Sequence, residues 1–261
     1  MLNGRVQLSK MERVESLDGF TQWLAPGRSW VCAFDFPFGL PRELVKHLGW
    51  PEQWLECIQH FATLSRQDIR QTFAAFCNAR PVGNKFAHRA TDRLAGSSSS
   101  MKWVNPPVAY MLHAGAPRLI AAGVHLPGLQ PQEQSTKVGL QRIALEGYPG
   151  LLARELLGGV TGKGSRRSYK NDAKAHQTPE RLIARKDLLT ALEHGQTRLG
   201  LRLKLTHAQR DALADDASGD SLDAVLCLMQ AAWAQQQHEQ GQARYGLPEA
   251  VDPLEGWIIS A

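Results

Sequence analysis

The stretch that most constrains this chain is Trp30 to Pro41, WVCAFDFPFGLP. Val31 to Phe34 is a short apolar run without helical period, which reads as a buried strand. Asp35 stands at its end, and Pro37, Gly39 and Pro41 stop it. Open α/β sheets bind ligands at the carboxyl ends of their strands, so an acid here is a site candidate. An unpaired buried carboxylate costs several kcal/mol unless a metal or a firm hydrogen-bond set offsets it. The same residue is equally placed to cap a strand-to-turn junction, and carboxylates elsewhere decide between the two.

The chain has 261 residues, 43% of them hydrophobic, with seven Trp. That suffices for a large core in one domain or two small ones. No apolar run reaches the length of a membrane span, and the first residues lack the apolar segment of a signal peptide. A cytoplasmic protein with no membrane partner is expected. Cys32, Cys57, Cys77 and Cys227 form no Cys-x-x-Cys pair, so neither a disulfide framework nor a zinc site is indicated. Cys32 and Cys227 read as small core residues.

Charge is unevenly spread. Arg80–Lys102 carries about +4 and Lys163–Lys186 about +6, within a net +5, so the remainder is acidic. Two basic segments suit a polyanion such as nucleic acid, and equally two solvated loops.

Arg5 to Val14 alternates weakly and suggests a strand. Ser16 is a candidate N-cap for a helix carrying Leu17, Phe20 and Leu24. Helical patterns then run over about 43–48, 52–64 and 67–79 with no strand between them, so they read as an insertion. Pro81–Pro107 reads as a polar loop, followed by a helix over Val108–Leu112. Val138–Leu145 alternates as a strand ending at Glu146. Gly158–Ser165 resembles a phosphate loop, but Gly164 stands where Ser or Thr must follow Lys163, so a mobile basic loop is expected. Thr178 and Pro179 open a helix, a short helix covers Thr206–Ala214, and the longest helical pattern starts at Ser218 or Asp220. Gly256–Ile259 is a candidate edge strand.

Asp35 and Glu146 end strands, while Asp220 and Asp223 share a face in the first turn of the long helix. Acids at a helix start also favour the dipole without any catalytic role. If they converge, they suit Mg²⁺, which takes oxygen ligands and few of them from protein. Two such ions can clamp a phosphodiester between attacking and leaving oxygens.

Phe34-Asp35-Phe36-Pro37-Phe38-Gly39-Leu40-Pro41, Leu145-Glu146-Gly147-Tyr148-Pro149, Ser168-Tyr169-Lys170, Gln177-Thr178-Pro179-Glu180-Arg181, Asp220-Ser221-Leu222-Asp223-Ala224 and Glu255-Gly256-Trp257-Ile258 together resemble the domain-of-unknown-function family 429. The resemblance covers most of the chain. It implies a single ribonuclease H-like domain over 1–261, an α/β fold with a mixed sheet flanked by helices and a helical insertion over about 42–122. It also implies a nuclease, with Asp35, Glu146 and Asp223 holding Mg²⁺ or Mn²⁺ and Asp220 assisting. In that family an acid-bearing strand precedes the segment that starts at Arg5. Met1-Leu2-Asn3-Gly4 holds no such strand. The sheet is therefore expected to lack its first strand beside Asp35, and cleavage to be weak or absent.

The leading expectation is a metal-dependent nuclease acting on DNA or RNA. Lys170 would stabilise phosphate charge, and Lys85, Arg89 and Lys102 would bind the backbone. Lys170 reads equally well as a plain surface lysine. The alternatives are a non-catalytic nucleic-acid-binding protein and a phosphotransferase on the same superfamily fold.

Overall fold

A computed structural model describes residues 4–130, 141–158 and 167–261. The start of the strand expected from Val138 and nearly all of the expected loop over 158–165 lie outside them. The first elements are β1 (Arg5–Gln7), α1 (Leu17–Trp23) and β2 (Trp30–Phe34). Five helices follow without a strand: α2 (Arg42–His47), α3 (Trp54–Thr63), α4 (Arg66–Asn78), α5 (Ala90–Ala95) and α6 (Val108–Ala121). Then come β3 (Arg142–Glu146), α7 (Pro149–Leu157), α8 (Pro179–His194), β4 (Arg202–Lys204), α9 (His207–Asp215) and α10 (Asp220–Glu239). The chain is α/β. Among the described residues no helix is long and apolar enough to cross a membrane.

Strands β2 and β3 run parallel, with Phe34 in register with Glu146. Side chains alternate across a sheet, so each strand serves two faces. Val31, Ile143 and Leu145 pack with Ala234 of α10, and Ala33 packs with Cys227 and Ala231 of the same helix. Trp30, Phe34 and Ala144 face the other way, into a core shared with α3, α4 and α6. The far side of β3 is closed by His125 at one end and by the tail at the other, where the Ile259 N–H donates to the Glu146 carbonyl at 2.8 Å. Among the described residues no strand pairs with the free edge of β2.

The expected single mixed sheet differs from what is found. Strand β1 pairs in parallel with β4, as a separate two-stranded sheet. Val6 and Leu203 bury themselves with Leu188, Leu192 and Leu213 of α8 and α9, which draws β1 to that core rather than to the edge of β2. The candidate strand at Gly256–Ile259 is reduced to a bridge at Ile258. Ser16 caps α1 as expected, accepting from the Gly19 N–H at 3.0 Å, whereas Thr178 holds the N-cap position of α8 without a side-chain cap bond. The polar loop contains α5, and the helix from Val108 continues past Pro117 to Ala121.

Candidate functional site

A cleft of about 630 Å³ opens at the carboxyl ends of β2 and β3. Asp35, Glu146, Lys170, Asp220 and Asp223 all line it. Asp35 continues the alternation of Val31 and Ala33, which directs it to the α10 side, where Asp223 sits one turn into the helix. Among the described residues nothing hydrogen-bonds the Asp35 carboxylate. Asp35 is exposed to the cleft, with protein packed around its carboxylate. Burial pushes its pKa up to about 7, Asp223 and Glu146 push the same way, and Lys170 opposes them.

Asp223 is itself buried and accepts from the Tyr169 hydroxyl and the Lys170 ammonium. Burial raises its pKa, and those two donors pull it down. Burial works against the Lys170 charge, and Asp223, then Asp35 and Asp220, more than offset it, so Lys170 is held above its ordinary value. Burial and Asp223 drive the Tyr169 hydroxyl well above its usual range, so it stays a donor. The local chain builds this pairing. Gly219 caps α10 at φ +78, and a Cβ there would lie 2.6 Å from Lys170 Cβ, so glycine lets the two segments touch. Buried Arg185 clasps the Tyr169 carbonyl at 2.8 Å and the Ala214 carbonyl at 2.6 Å, fixing this segment against α9.

Glu146 has a different task from the one expected. In the alternation of β3 it belongs with Ala144, on the face opposite Ile143 and Leu145, and there it meets Arg89. Arg89 donates to both Glu146 oxygens at 2.8 and 2.6 Å, to Asp92 Oδ1 at 2.8 Å and to the Glu255 carbonyl at 2.9 Å. The Phe38 N–H adds a bond to Glu146 at 2.9 Å. Burial pushes the Glu146 carboxyl up, and Arg89 and that N–H pull against it. Burial also works against the Arg89 charge, but Glu146 and Asp92 hold its pKa above the ordinary value. Only 1% of Arg89 is exposed, so its guanidinium is a core cation and not a surface contact for a polymer. The structure thus sets Arg89, expected to bind a backbone, and Glu146, expected to hold a metal, against each other at the cleft wall.

Asp220 is exposed at the cleft rim. Lys85 lines a neighbouring depression with His88 and Arg93, and Lys102 is not among the residues lining the cleft. Sequence reasoning missed Tyr169 as a partner of Asp223, although Ser168-Tyr169-Lys170 was in view. It also missed Tyr148, Arg154 and Arg167 on the cleft wall. The Tyr148 hydroxyl accepts from Arg154 at 2.8 Å, and the Tyr148 N–H donates to buried Gln230 at 2.9 Å. No local pattern marks those arginines.

Among the described residues no group of three or more His, Cys, Asp and Glu side chains is arranged to hold a metal ion. Exposed Asp35 and buried Asp223, two like charges on one cleft, nonetheless have the donor chemistry that suits a hard cation binding through one or two carboxylates plus substrate oxygens. Glu146, committed to Arg89, does not fit that set. No family model, curated protein or solved structure matches the chain.

Proposed function

We propose that this chain is a Mg²⁺- or Mn²⁺-dependent nuclease whose reaction centre is Asp35, Asp223 and Lys170. The observation that carries the reading is Asp35, an acid at a strand end with no hydrogen bond among the described residues, lining one cleft with Asp223 and Lys170. Bound by Asp35 and Asp223, a divalent ion would supply charge neutralisation at phosphate oxygens. Asp35 would take the proton of an attacking water. Lys170, raised and cationic, can move from Asp223 to a phosphate oxygen and stabilise the charge that develops there. Tyr169 keeps Asp223 oriented through its hydroxyl.

A second reading is a nucleic-acid-binding protein without catalysis. What favours it is Glu146, which Arg89 and the Phe38 N–H withhold from any metal. A gel assay on end-labelled oligonucleotides separates the two. Cleavage that requires Mg²⁺ or Mn²⁺ and is lost in Asp35→Asn supports the nuclease; binding without cleavage under either ion supports the second reading.

A further inference from the structure

The cleft does not end at its own rim. Arg154 and Arg167 line it and also line a second depression of about 430 Å³, together with Arg93 and Arg198. Among the described residues Glu155 is the single acid lining that second depression, and Arg198 holds both of its oxygens, at 2.6 and 2.7 Å. Arg93 in turn lines a third depression, with Lys85 and His88. The shared residues make the three hollows one furrow. It is acidic at Asp35, Asp220 and Asp223, and along the rest of its length Lys85, Arg93, Arg154, Arg167 and Arg198 outnumber Asp92 and Glu155, although Arg167 pairs with Asp187 and Arg198 with Glu155.

The walls carry a second signature. Tyr148, Val108 and half-exposed Met111 give the cleft an apolar side, and the Arg154 guanidinium lies 5.0 Å from the centre of the Tyr148 ring. Cations that track a backbone beside aromatic and apolar surface for bases are the pattern of single-strand binding. A cleft of this size admits about one or two nucleotides rather than a duplex.

We infer that the furrow is the track of a single-stranded nucleic acid, with one nucleotide against Tyr148 and Met111 and the following phosphates on Arg154, Arg167, Arg93 and Arg198. This rests on the proposed nuclease reading for the acid end, and it adds the substrate form and the direction in which the strand leaves. Lys85 binds the strand under this arrangement, at the far end and not at the reacting centre.

The test is fluorescence anisotropy of the full chain in EDTA, with labelled twelve-nucleotide oligothymidylate, oligouridylate and a duplex of the same length. Each phosphate contact on a single strand contributes roughly 0.7 to the slope of log affinity against log salt. Arg93→Ala/Arg198→Ala should therefore lower that slope by about 1.4, a loss of roughly 25-fold at ~0.1 M salt. Arg198 also holds Glu155 and the Ser260 carbonyl, so Arg93→Glu alone is measured beside it, and melting curves confirm that both variants fold. Tighter binding of oligothymidylate marks a DNA track and of oligouridylate an RNA track, and either supports the inference. Affinities unchanged in both folded variants, or duplex bound as tightly as either single strand, overturn it. Cleavage is read separately, with metal. Cleavage lost in Asp35→Asn but indifferent to Arg93 and Arg198 would leave the nuclease and remove the furrow. Arginine-dependent binding without cleavage would do the reverse.

Discussion

Replacing Arg89 with methionine removes the cation that sits between Glu146, Asp92 and the Glu255 carbonyl. The side chains of Asp92 and Glu146 are only 0% and 3% exposed, so neither can turn to water. Methionine fills much of the volume, so the loss is electrostatic rather than a cavity. Breaking one side of a buried ion pair costs about 3–5 kcal/mol. At about 2–4 °C per kcal/mol for a chain of this size, the melting temperature should fall by roughly 6–20 °C. The pH dependence has a definite sign. Without Arg89, burial pushes the Glu146 carboxyl up against only the Phe38 N–H, so its folded-state pKa lies above the unfolded value near 4. The unfolded state then releases protons that the folded state keeps, and the variant loses stability as pH rises from about 4. The deficit against the parent chain should be larger at pH 8 than at pH 5, and Arg89→Met/Glu146→Gln should recover part of it. Urea denaturation followed by circular dichroism at both pH values measures this. A variant within about 1 kcal/mol of the parent at pH 8 would refute the claim that Arg89 holds the β3 end to α5.

Other substitutions probe the same neighbourhood. The Asp35 pKa of about 7 exceeds its unfolded value, so in EDTA the ionised residue costs stability that grows as pH rises from about 4 to about 7; Asp35→Asn should raise the melting temperature at pH 8 more than at pH 5. Gln230 is fully buried and joins the Tyr148 N–H to the Ile259 carbonyl, so Gln230→Leu should cost about 1–3 kcal/mol in urea melts by orphaning both groups. Gly39→Ala drives a methyl group into the backbone oxygens of Leu254 and Glu255 and should cost about 1–3 kcal/mol, read in the same way.

The strand ending at Asp35 and the long helix starting at Asp220 were legible because both are strongly patterned: an apolar run stopped by Pro and Gly, and an apolar face repeating over Leu222, Val225, Leu226 and Met229. Their meeting followed from period-two alternation, which sends Asp35 toward α10. The same alternation sends Glu146 the other way, and residue type alone could not show that an arginine 57 positions upstream waits there. Charge counting treated Arg89 and Arg185 as surface cations, yet both are core residues whose donors are spent on Glu146 or on backbone carbonyls. Strand β4 was missed because three residues after a glycine carry too little period to register. The pairing of β1 with β4 joins segments nearly 200 residues apart, a choice made by the α8–α9 core and not by either strand's own sequence.

The most direct test of the central claim is the rate of cleavage of a labelled single-stranded oligonucleotide by residues 1–261, measured with Mg²⁺, with Mn²⁺ and with EDTA, for the parent chain, Asp35→Asn and Asp223→Asn. The account predicts slow cleavage that needs one of the two ions, is abolished by EDTA and is lost in both variants while each still melts cooperatively. Cleavage that persists in folded Asp35→Asn at the parent rate, or no cleavage with either ion, would contradict it.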